Sequence, residues 1–90
     1  MKITKSALPI IHGQEVILSN IHTILGITVH TIENYVFLHA LEKENDGTSK
    51  LVVKCVYPGE APPSHYRFLG IASGLFKGAV DLYYFGTEHV

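Results

Sequence analysis

Residues 26–40, GITVHTIENYVFLHA, are two apolar ribbons around a polar corner, and how they pair decides the fold. The first ribbon is rich in β-branched side chains, which pack well on a pleated surface and lose freedom in a helix. Two such runs in succession predict an antiparallel hairpin. With the turn placed at Asn34-Tyr35, His30 faces His39 across the pair. A helix remains the alternative for the second ribbon, because Ile32, Val36, Phe37, Ala40 and Leu41 also fit a 3.6-residue period. Strand is the preferred reading.

Towards the C-terminus, YVFLHALEKE and SKLVVKCVY flank NDGT at 45–48. Asp-Gly between apolar runs is a tight-turn signal, so these runs read as a second hairpin. That register sets His39 across from Lys54 and makes one row of His30, His39 and Lys54, flanked by Phe37 and Leu41. Cys55 falls on the opposite, more apolar face. A third hairpin is predicted from YRFLGIAS and AVDLYYFG around GLFKG, with Phe68 beside Ala72 and Leu82, and Leu69 beside Ile71 and Tyr83. Gly70, Gly74 and Gly78 read as bends, since three glycines would cost a soluble helix about 3 kcal/mol relative to alanine. Between these hairpins, YPGEAPPSH at 57–65 is a linker. Pro58-Gly59 suits a turn with positive φ at the glycine, and Pro62-Pro63 prevents regular structure.

Residues 14–25 read equally as strand or as one short helix. Positions 17, 21, 24 and 25 share a helical face and Gly26 stands where a C-terminal cap belongs, while the β-branched content opposes helix. The expected fold is therefore mainly β, a small antiparallel barrel or sandwich built from hairpins. A helix near 14–25 would give the α+β alternative. Ninety residues make a single domain over 1–90, because a second core needs far more chain.

The hydrophobic content of 47% belongs to a folded chain, and the charged fraction of 17% lies below the usual ~25%. Net charge is −1 and the seven basic residues are scattered, so nucleic-acid binding, which depends on a basic patch, is not expected. Cys55 is alone, which rules out an internal disulfide or a cysteine-based zinc site and fits a reducing, cytoplasmic setting. ALPII is too short for a signal-peptide apolar region, and the longest apolar stretch contains Lys77 and Asp81. No membrane association is expected.

Chemistry is sparse. His30 and His39 read first as interface or rim residues. Opposed beside Lys54, they would repel on protonation and loosen an assembly. A metal site would need a third ligand, for which His22 and His12 offer no recognised spacing. No cofactor, metal or catalytic set is assigned. In PPSHYR, Tyr66 and Arg67 are the residue types most typical of binding anchors, with Arg67 expected to meet Glu60 or Glu88.

Both faces of each predicted hairpin are substantially apolar, whereas a sheet with one wet face alternates cleanly. A homodimer or higher homo-oligomer is therefore expected. The expected role is a non-enzymatic, self-associating binding module, an accessory or inhibitor-like protein that also takes a protein partner. The candidate ligand or interface residues are His30, Phe37, His39, Leu41, Lys54, Tyr66 and Arg67. The alternative is a small-molecule-binding protein or minor enzyme whose pocket, between apolar sheet faces, is lined by His30, His39 and Lys54.

Overall fold

The computed structural model describes residues 1–43 and 49–89. Its elements run β1 (Lys2–Ala7), β2 (Glu15–Ser19), β3 (Ile21–His30), β4 (Tyr35–Glu42), β5 (Lys50–Val56), β6 (Arg67–Gly74), α1 (Leu75–Gly78) and β7 (Val80–His89). The strands form a three-stranded sheet, β1-β4-β3, and a four-stranded sheet, β2-β5-β7-β6, antiparallel at every pairing. The chain is mainly β. Its principal extents are 40 × 28 × 16 Å.

The opening hairpin exists, but its turn lies earlier. His30 pairs with Tyr35, Thr28 with Phe37 and Gly26 with His39, so residues 31–34 form the loop. His30 and His39 are not opposed. Both nevertheless point to the same side, because the offset from the expected register is even and parity survives.

Residues 14–25 are not helical. They belong to β2 and β3, two arms of one bent ribbon that changes sheets at Asn20, whose φ of 62° is a left-handed geometry that asparagine tolerates. The strands beside it are likewise divided between the two sheets. β4 stays beside β3, and β5 pairs with β2 through Glu15–Lys54 and Ile17–Val52. The Asn20 amide donates to the Ser49 carbonyl at 3.1 Å and the Lys43 amide to the Asn20 carbonyl at 2.9 Å, fixing the corner. The expected hairpin of residues 35–44 with 49–57 is thus overturned, since β4 and β5 lie in different sheets. The NDGT turn assigned to 45–48 lies outside the described residues. Strands that switch sheets at a bend are a recurrent way of making the corners of a sandwich.

Burial follows strand parity on β4 and β7, while on β5 Val52 and Val56 of the outer side are buried as well. Val36, Leu38 and Ala40 from β4 face Leu51, Val53 and Cys55 from β5 and Leu82 and Tyr84 from β7, with Ala72 and Leu75 beside them. At one side β3 approaches β6 so closely that a Cβ at Gly70 would stand 2.8 Å from Ile27 Cδ1. At the other side, residues 8–14 cross from β1 to β2 as a strap. The strap is fastened by the Tyr84 hydroxyl donating to the Pro9 carbonyl at 2.7 Å and by Cys55 Sγ donating to the Ile11 carbonyl at 2.9 Å. Burial pushes both the Cys55 thiol and the Tyr84 phenol above their ordinary pKa values.

The third hairpin forms, β6 against β7, but Ala72 lies across from Leu82 where a turn centred on GLFKG with Ser73 opposite Ala79 would set Val80, and one pair of residues changes face. A bulge between Phe68 and Gly70 exchanges the faces of Phe68 and Leu69. Phe68 now stands outside with Ile71, Tyr83 and Phe85, and Leu69 packs on the core. The hairpin loop contains α1, in which Phe76 and Lys77 adopt left-handed angles. The Phe76 amide donates to Asn34 Oδ1 at 2.7 Å, tying this loop to the 31–34 turn of the other sheet. In the linker, the Glu60 amide donates to the Tyr57 carbonyl at 3.2 Å across Pro58-Gly59, with Gly59 at φ 91°. This is the turn that the dipeptide predicts.

Candidate functional site: two outer faces

The outer side of the three-stranded sheet is a set of rows running across β1, β4 and β3. They read Ile3, Leu41, Thr23; then Lys5, His39, Gly26; then Ala7, Phe37, Thr28; and last Tyr35 with His30. Phe37 lies at the centre. Lys5 Nζ stands 4.6 Å from its ring centroid, and the His30 ring meets it edge-on at 5.4 Å. His39 Nε2 is 2.8 Å from Thr28 Oγ1. No carboxylate occupies these rows, and Lys5 makes no ion pair among the described residues. Glu33 belongs to the turn at one end, and Glu42 sits at the opposite parity of β4.

The outer side of the four-stranded sheet has a different chemistry. Its rows read Ile17, Val52, Thr87; then Glu15, Lys54, Phe85, Phe68; then Val56, Tyr83, Ile71. Phe68 packs against Phe85 at 5.6 Å and Tyr83 at 6.3 Å between centroids, yet is itself 54% exposed. Ile71 and Ile17 are exposed as well. Here the charge is paired, Lys54 Nζ lying 3.8 Å from Glu15 and 5.4 Å from the Tyr66 ring centroid. Arg67, at the end of the sheet, pairs with Glu88 at 3.2 Å, one of the two partners expected for it.

The candidate residues therefore separate. His30, Phe37, His39 and Leu41 share one outer face, while Lys54 and Tyr66 share the other and Arg67 borders it. The expected row of His30, His39 and Lys54 does not exist, because Lys54 lies in the other sheet and Lys5 takes the place across from His39. The proposed pocket loses its lining for the same reason. Two opposed imidazoles beside a lysine are equally absent, so repulsion within that trio has no structural basis.

Clefts lie at the margins of these faces, one of about 240 Å³ at Arg67 with His65 and Glu88, and two more beside the linker. One of about 220 Å³ sits under the linker between Tyr57, Pro62, Tyr83 and Phe85, and a more open one of about 390 Å³ lies between Tyr57, Pro58 and Val80. Their linings are apolar or aromatic, with Glu60 and Asp81 as their charged members. His12 is occupied otherwise. Its Nδ1 accepts the Tyr57 amide at 3.1 Å and its ring stacks on Tyr57 at 4.9 Å, pinning the strap to the linker. Among the described residues, no three of His, Cys, Asp or Glu are grouped to hold a metal ion, and no helix is long and apolar enough to cross a membrane.

Lys5 was not legible as a site residue, although its strand carries a signal. KITKSA alternates, but with small and polar side chains it lacks the apolar strength of the other runs. No family model, curated protein or solved structure matches the chain.

Proposed function

We propose that this chain is a non-enzymatic, self-associating interaction module, an accessory or inhibitor-like protein, working as a homodimer or higher homo-oligomer. The single observation that carries this reading is the outer face of the four-stranded sheet. Phe68 and Ile71 stand half-exposed beside Tyr83 and Phe85 on two adjacent strands, a contiguous apolar surface of the kind that marks interaction sites. Its neighbouring charges, Lys54 and Glu15, neutralise each other within one copy. A two-fold contact applies the same patch to itself, and a neutral apolar patch is the type that tolerates this. The buried thiol of Cys55 suits a reducing cytoplasm.

Light scattering at micromolar concentration tests the proposal. The wild type is expected at twice the chain mass or more, and Phe68→Lys at the chain mass with its circular dichroism unchanged. A wild-type protein that scatters as a monomer overturns it.

A further inference from the structure

We infer that the outer face of the three-stranded sheet binds an extended acidic segment of a different protein, its carboxylates meeting Lys5 and the His39 side, its apolar side chains covering Phe37, Leu41 and Ile3. The inference rests on the reading of this domain as an interaction module, but on the face opposite the one assigned to self-association.

Charge selects the occupant. Every ionisable side chain in the rows other than Tyr35 is basic or imidazole, namely Lys5 from β1, His30 from β3 and His39 from β4. On the opposite face and at its border, Lys54 and Arg67 each have a carboxylate across a strand pair, at 3.8 and 3.2 Å. Lys5 has none among the described residues and instead lies over an aromatic ring. A second copy is a poor occupant, because a two-fold contact would bring Lys5 to a face that carries no carboxylate to receive it. An anionic occupant supplies the missing half of the pair.

The remaining surface decides between anionic polymers. Single-stranded nucleic acid is held by a groove with several cations that tracks the backbone. This face offers a single lysine, while Ile3 and Tyr35 are exposed and Phe37 and Leu41 half-buried. Alternating carboxylates and apolar groups match that composition better than phosphates do. From the row of Ile3 to that of Tyr35 spans about 20 Å at two residues per row, which six or so residues of extended chain cover. Among the described residues β1 is also an edge of its sheet, which offers an extended segment backbone to pair with beside the patch.

The test uses the full chain with ¹⁵N labelling, at physiological salt, against three probes. These are an eight-residue peptide alternating Glu with Val and Leu, the same peptide with Gln for Glu, and oligothymidylate. The acidic peptide is expected to shift the amides of Lys5, Phe37 and His39, with the Gln peptide at least tenfold weaker. Lys5→Glu is expected to weaken the acidic peptide at least tenfold, and Lys5→Gln by less, with the scattering mass of both variants unchanged. Failure to bind the acidic peptide at millimolar concentration overturns the inference, as do shifts on the other face or equal binding by Lys5→Glu. Binding by oligothymidylate alone would assign the face to nucleic acid and overturn it too. A change of oligomeric state in the wild type bears on the self-association reading and leaves this one standing.

Discussion

The two outer faces share a core and an architecture and differ in how they settle charge. Across the four-stranded sheet, Lys54 is matched by Glu15, and at its border Arg67 by Glu88. Across the three-stranded sheet, Lys5 and two imidazoles face solvent with no acid among them. Exposed apolar side chains are found on both. On the proposed reading, apolar exposure marks each face as a docking surface, and local charge balance selects its occupant. A balanced patch can meet its own copy, while an unbalanced one asks for a partner of opposite sign.

The comparison breaks first at Phe68 and Ile71. Replacing both by lysine is expected to raise the dissociation constant for self-association more than a hundredfold, read by sedimentation or light scattering, with acidic-peptide binding unaltered. Gly70→Val comes next. Its side chain meets Ile27 where the two sheets approach, and overpacking there is expected to cost about 1–3 kcal/mol in denaturant unfolding. Both faces should suffer together, since neither sheet can keep its place.

Tyr84→Phe removes one buried hydrogen bond to the strap and leaves the Pro9 carbonyl without that donor. The expected loss is about 1–2 kcal/mol by chemical denaturation. The same region sets the alkaline limit. Both Cys55 and Tyr84 have raised pKa values in the fold, so their neutral forms are favoured there and their charged forms in the unfolded chain. Their contribution is complete below the ordinary values of 9.0 and 10.0 and is lost as pH rises beyond them. Stability should hold from pH 7 to about 8.5 and then fall, with the onset moved upward in Cys55→Ala. An onset at the same pH in both proteins would remove Cys55 from this account. The smallest effect belongs to Glu15→Gln, about 0.2–0.5 kcal/mol for a solvent-exposed pair. Its use is to make the four-stranded face resemble the other one, and self-association should weaken as Lys54 loses its partner.

Much of the β content could be read from the chain. The apolar ribbons at 36–42 and 51–56, the Pro58-Gly59 turn and the last hairpin follow from side-chain shape and turn chemistry. The common side of His30, Phe37, His39 and Leu41 also follows, because parity depends only on strand identity and an even error in register leaves it intact. Which sheet each strand joins could not be read. That choice is made at Asn20, a single left-handed residue in a run that otherwise looks continuous, and nothing local distinguishes it. Losing the corner joined Lys54 to the histidines and hid Lys5 from the site. The exchange of Phe68 and Leu69 has a similar origin, a one-residue bulge that alternation cannot register.

The strap has a bearing on how the molecule comes into being. Its fastening at Pro9 depends on Tyr84, and the inner edge of β5 is satisfied only by β7. A chain emerging from the ribosome N-terminus first thus holds its opening ribbons unfinished, with the Leu51–Val56 edge bare, until the closing strand arrives. Topologies dominated by such distant pairings assemble slowly. The fold is therefore completed from its C-terminal side, since neither the strap nor the β7-facing edge of β5 is satisfied before β7 is in place.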